Sequence, residues 1–99
     1  MKLFSYGTLQ DPMIQLRLLG RLLNRRPASI NGWHKTKVFA EDGWYPAIKK
    51  GKEQIWGSIL EIEEKDFTAL DEYEGSAYKR IQTRTSEGES VFVYILSNK

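Results

Sequence analysis

The chain has 99 residues, a net charge of +2 and no cysteine. Its length admits one hydrophobic core, hence a single domain over residues 1–99, and the missing cysteines exclude a disulfide framework, a thiolate nucleophile and a zinc knuckle. No stretch approaches the roughly 20 apolar residues that cross a bilayer, and the apolar run within "MKLFSYGTLQ" is too short for a signal peptide, so a cytoplasmic protein with no membrane partner is expected.

Taken in order, "KLFSY" reads as a short strand bounded by the turn formers Gly7 and Thr8. "DPMIQLRLL" opens a helix, with Asp11 as N-cap and Pro12 at the first helical position. Gly20 either caps that helix or lies within a longer one. "ASINGWHKTKVFA" is a broken alternation with a bulge or turn at Asn31-Gly32. "EDGWYPAI" brings a turn and then an aromatic-proline step. "EQIWGSILEI" has strong β composition, and its Gly57 points to a close backbone approach. "EEKDFTALDEYEG" is the second helix, and "YKRIQTRTSEGESVFVYIL" a terminal hairpin around Glu87-Gly88. Two short helices and about six strands, not in regular alternation, predict an α+β fold with a small, mostly antiparallel, barrel-like sheet.

Charge is unevenly laid out along this frame. No acid falls between Asp11 and Glu41, where Arg17, Arg21, Arg25, Arg26, Lys35 and Lys37 lie. From Glu61 to Glu74 there are seven acids and one base, Lys65. Such blocks are usually solvated faces, though a basic one also suits nucleic acid.

Within the acidic block, helical spacing singles out one residue. At about 100° per residue, Phe67 and Leu70 define an apolar stripe, and Glu74 lies within roughly 20° of Phe67. Glu72 points toward water and Asp71 sits at the stripe's edge. Burial, the negative end of the helix dipole and the exposed carbonyls before a left-handed Gly75 all disfavour charge on Glu74. A carboxyl so placed is a better base near neutral pH than a free one. The competing reading is a frayed last turn, with Glu74 in solvent or paired with Lys79 or Arg80.

A second candidate site follows the first strand. The Gly7-Thr8 turn exposes consecutive N–H groups suited to an anion, with the Thr8 hydroxyl as a further donor and Tyr6 as a wall. No phosphate-loop or dinucleotide pattern is present. With His34 the only histidine, a multi-histidine metal site is excluded, and no serine stands in a nucleophile elbow. A carboxylate-only metal site at Asp71, Glu72 and Glu74 fails because Glu72 diverges.

Four stretches in sequence order, "YGTL", "YPA" at 45–47, "WGSILEI" at 56–62 and "LDEYEGSAYKR" at 70–80, resemble the gamma-glutamylcyclotransferase-like superfamily of small α+β barrel proteins. The resemblance runs from Leu3 to Tyr94. It implies substrate binding by Tyr6, Gly7, Thr8 and Leu9, general acid/base catalysis by Glu74, and a pocket wall at Tyr78. Tyr94 and Tyr45 match aromatic positions of the family, with packing as their simplest role.

The implied reaction releases 5-oxoproline from a γ-glutamyl amine or amino acid by attack of the substrate's own α-amine. The nucleophile arrives with the substrate, so neither a catalytic serine nor a cysteine is needed. Such a protein takes a small γ-glutamyl molecule as its partner, uses no cofactor or metal, binds no nucleic acid and works as a monomer. Two alternatives stay open. One is a non-catalytic module that binds a small ligand, the other a weak nucleic-acid binder using the basic segment with Trp33 and Phe39.

Overall fold

The computed structural model describes residues 1–40 and 42–97; Glu41, Asn98 and Lys99 lie outside it. Leu3, Phe4 and Ser5 are all buried, as in a strand covered on both faces. They form β1 (Lys2–Ser5), the middle strand of a five-stranded sheet. The other strands are β2 (Arg25–Ala40), β3 (Gly43–Glu61), β4 (Tyr78–Arg84) and β5 (Ser90–Leu96). Their spatial order is β2-β3-β1-β5-β4. All pairs are antiparallel except β1 with β5, which run parallel through Leu3 and Phe92. The sheet curls into a half-barrel. Its far edges meet where the Ser86 N–H donates to the Ser29 carbonyl at 2.8 Å.

The expected α+β, mostly antiparallel mixed architecture is therefore present, with five strands among the described residues where the sequence suggested about six. The difference lies in "IKKGKEQI", where β3 continues without a break. Gly51 explains the continuity: a Cβ there would come within 2.5 Å of the His34 Cβ, so only glycine lets β3 pass β2 this closely. The bulge at Asn31-Gly32 is real. Gly32 has φ +90°, and Trp33 pairs with both Lys50 and Glu53.

Helix α1 (Pro12–Leu19) starts and stops on its sequence signals. The Asp11 carboxylate accepts from the Met13 N–H at 2.9 Å, and Gly20 caps the end at φ +76°. Gln15 is its buried residue: its amide donates to the Leu9 carbonyl, and its carbonyl accepts from the Leu23 N–H, both at 2.9 Å. Those bonds tie α1 to the bend after β1. A 3₁₀ turn (Glu64–Asp66) with a capping box leads into α2 (Phe67–Glu74). Buried Asp66 receives both terminal nitrogens of Arg21, which lies just beyond α1; that pair holds its carboxyl below the usual range.

Alternation along β1 and β5 divides the core in two. Phe4, Val91, Val93 and Ile95 join Ile30, Ile48 and Ile59 on one face. Leu3 and Tyr94 turn to the other face and meet Leu9, Leu60, Phe67 and Leu70 beneath the helices. The second cluster fixes where α2 ends, and hence where Glu74 stands.

Candidate functional site

Leu70, 1% exposed, and Phe67 anchor α2 to the sheet, and the same stripe carries Glu74 inward at the last turn. Gly75, at φ +77°, stops the helix there, its N–H donating to the Asp71 carbonyl at 3.0 Å. Glu74 is half-buried and borders a cleft of about 520 Å³. The walls of that cleft also include Tyr6, Gly7, Thr8, Leu9 and Tyr78. The six site residues that the family resemblance implied thus border one cavity, although β1 and α2 are more than 60 residues apart.

Withdrawal from water pushes the Glu74 carboxyl up from its ordinary 4.5 to about 7. Arg80, a candidate partner for it from the sequence, is engaged elsewhere. Arg80 pairs with Asp71 at 3.2 Å and stacks 3.7 Å above the Phe67 ring. Among the described residues, no ion pair includes Glu74. Burial, then the Glu74 charge, pushes the Tyr78 phenol up to about 12. Tyr6 is raised too, by burial first and then by Tyr78 and Glu74. Both phenols therefore remain protonated donors near neutral pH.

The bend after β1 is a 3₁₀ turn (Thr8–Gln10). Gln10 N–H donates to the Gly7 carbonyl at 3.2 Å and Asp11 N–H to the Thr8 carbonyl at 2.9 Å. The N–H groups of Thr8 and Leu9 therefore have no partner inside the turn itself. Gly7 lies against Pro46, whose Cγ would stand 3.4 Å from a Cβ at this position. Leu9 borders the cleft but buries its side chain in the core, so it anchors the bend.

All five tyrosines of the chain line the cleft. Tyr6 donates to the Tyr94 carbonyl and Tyr78 to the Pro46 carbonyl, each at 2.6 Å. Tyr94 donates to Asp71 and Tyr45 to Asp42, each at 2.5 Å. The Tyr73 hydroxyl meets that of Thr8 at 2.8 Å and bridges α2 to the bend. Sequence reasoning missed Tyr73 although a signal existed: it follows Leu70 by three residues, about 60° from it on the helix. It also sent Glu72 wholly to solvent. Glu72 is exposed, yet it stands at the cleft's rim. His34 is away from the cleft and pairs with Glu53 at 3.1 Å.

A curled mixed sheet whose second helix delivers a desolvated carboxylate to a bend after the first strand defines a gamma-glutamylcyclotransferase-like fold. The family model described as "Gamma-glutamyl cyclotransferase, AIG2-like" matches residues 3–99, and the chain belongs to that family. It is 33% identical to AIG2-like protein C of Arabidopsis thaliana, a match covering 98% of this chain and 59% of that protein. The chain thus spans less than two thirds of that relative's length. A solution structure of a protein from Arabidopsis thaliana superposes with a TM-score of 0.83 at 26% identity, covering 99% of this chain and 69% of that one. A structure described as a gamma-glutamyl cyclotransferase superposes with a TM-score of 0.74 at 18% identity, covering 99% of this chain and 67% of its own, a likeness of fold. Among the described residues, no helix is long and apolar enough to cross a membrane.

Proposed function

We propose that the chain is a γ-glutamyl cyclotransferase that releases 5-oxoproline from a γ-glutamyl amine or amino acid, with Glu74 as general acid/base. The observation carrying this reading is the Glu74 carboxyl, raised to about 7 by burial, in the same cleft as Gly7 and Thr8. The substrate's α-ammonium, with a pKa near 8, is mostly protonated at neutral pH and must lose a proton before it can attack. Glu74 takes that proton. The α-nitrogen then bonds to the γ-carbonyl carbon, closing a five-membered ring. As the bond to the leaving amine breaks, Glu74 returns the proton to that amine, and the second proton shed by the ring nitrogen follows it. The amine thus departs as an ammonium and the lactam keeps one N–H. No water, oxidant or second substrate enters the balance.

The bend holds the α-carboxylate through the N–H groups of Thr8 and Leu9 and the Thr8 hydroxyl, with Tyr6 and Tyr78 as walls. Fixing the folded-back conformer lowers the entropic part of the barrier. The reading carries with it a cytoplasmic location, in keeping with a chain that holds no cysteine.

The test is a panel of γ-glutamyl compounds scored for 5-oxoproline by mass spectrometry, with Glu74→Gln as the control. That change keeps the side chain's shape and removes the base, so turnover should fall by about 10²–10⁴. Undiminished turnover excludes Glu74 as the base. Binding of γ-glutamyl compounds without any 5-oxoproline leaves a ligand-binding module instead.

A further inference from the structure

The cleft has an unusual charge inventory for a site that receives a carboxylate. Asp42, Glu72 and Glu74 border it, while no lysine, arginine or histidine does so among the described residues. The substrate's negative group must then be met by neutral N–H and O–H donors, each of which counts. Most of the phenols are not available. Tyr6, Tyr45, Tyr78 and Tyr94 already donate to a carbonyl or a carboxylate of the protein. The fifth, Tyr73, has a hydroxyl as its partner, that of Thr8 at 2.8 Å.

Two hydroxyls facing each other share one hydrogen bond and keep one O–H proton to give elsewhere. Either hydroxyl can donate here, but a phenol is more acidic than an aliphatic alcohol and is the stronger donor, which favours the bond from Tyr73 to Thr8. An oxygen that accepts a hydrogen bond also becomes a better donor through polarisation. In that direction the remaining proton belongs to Thr8, at the bend where the cleft opens.

We infer that Tyr73 is a positioning residue for substrate binding: its phenol orients and polarises the Thr8 hydroxyl, which donates to the substrate's α-carboxylate. This rests on the γ-glutamyl reading of the site. Tyr73 is 41% exposed and lies outside the buried core, so removing its hydroxyl empties no packed space. Because Tyr73 acts through Thr8, the two residues form one unit, and their losses overlap instead of adding.

The experiment measures kcat and KM for a γ-glutamyl amine with the wild type, Tyr73→Phe, Thr8→Val, Thr8→Ser and the Tyr73→Phe/Thr8→Val double variant. Tyr73→Phe should raise KM about tenfold and change kcat by less than about twofold. Thr8→Val should cost at least as much, the double variant no more than Thr8→Val alone, and Thr8→Ser, which restores a hydroxyl, should recover most of the Thr8→Val loss. Calorimetric binding of the product supplies a readout that a merely structural role leaves unmoved. Tyr73→Phe should weaken 5-oxoproline about tenfold and leave 2-pyrrolidinone, which lacks the carboxylate, unchanged. An unaltered KM in Tyr73→Phe, fully additive losses, or equal weakening of both lactams overturns the inference while the cyclotransferase reading stands. A wild-type chain that cyclises none of the panel overturns that reading, and this inference with it.

Discussion

Glu74 titrates in the wrong range for a solvated glutamate, and the reason is local. Its stripe-mates Phe67 and Leu70 draw it inward, and the nearby cation, Arg80, is held by Asp71. Burial alone then raises its carboxyl to about 7. A carboxylate-resolved NMR titration should show its inflection near that pH, and kcat/KM should drop on the acid side of about 7 as the base takes up a proton. In Glu74→Gln the acid limb should vanish along with the activity. A limb centred near 4.5 would place the working carboxyl in water and remove the buried base. Helical spacing was enough to find Glu74, because both of its neighbours on the stripe lie within seven residues. It was not enough for Tyr73, whose partner Thr8 is 65 positions away and shares no element with it. A hydrogen bond between distant segments leaves no periodic trace.

At the scale of elements, glycines decide where strands come close. A Cβ on Gly57 would lie 2.2 Å from the Ser5 carbonyl oxygen, and that oxygen belongs to backbone that cannot swing aside. Gly57→Ala should therefore destabilise the protein by about 3 kcal/mol. Urea unfolding measures the loss, and amide exchange should locate it in β1 and its partner β3. Unchanged stability would mean that the two strands are free to separate. The close approach was legible because a lone glycine interrupts an otherwise β-forming run. The frame of α1, from Asp11 and Pro12 to Gly20, was legible for similar reasons, each residue satisfying a helix end by its own chemistry. The unbroken run of β3 was not. Lys49, Lys50, Lys52 and Glu53 are all exposed, so the segment has the polarity of a loop and shows no buried face to betray a strand.

For the whole molecule, three carboxylates pull stability in opposite directions with pH. Asp66 is held low by Arg21, and Glu89 is pushed down to about 2 by Arg26 and Lys2. Groups lowered on folding stabilise the native state above their unfolded pKa and lose that contribution as the pH falls. Glu74 does the reverse. Raised from 4.5 to about 7, it favours the folded state fully below about 4.5 and loses that advantage as the pH climbs through 7. The urea midpoint should peak near pH 4.5, with a loss of about 2 kcal/mol from pH 5 to 8 that Glu74→Gln abolishes. A midpoint still rising at pH 8 would contradict the desolvated carboxyl. The α+β class was legible from element composition, whereas the strand order was not, since nothing in β1 names β3 and β5 as its neighbours.

That order sets the sequence of events when the chain refolds. The two hairpins, β2–β3 and β4–β5, close over short loops, but among the described residues no strand of one is a sheet neighbour of a strand of the other, since β1 lies between them. The bend that follows this strand reaches α2 only after insertion. Recovery of ligand affinity should therefore lag behind the return of β-sheet circular dichroism.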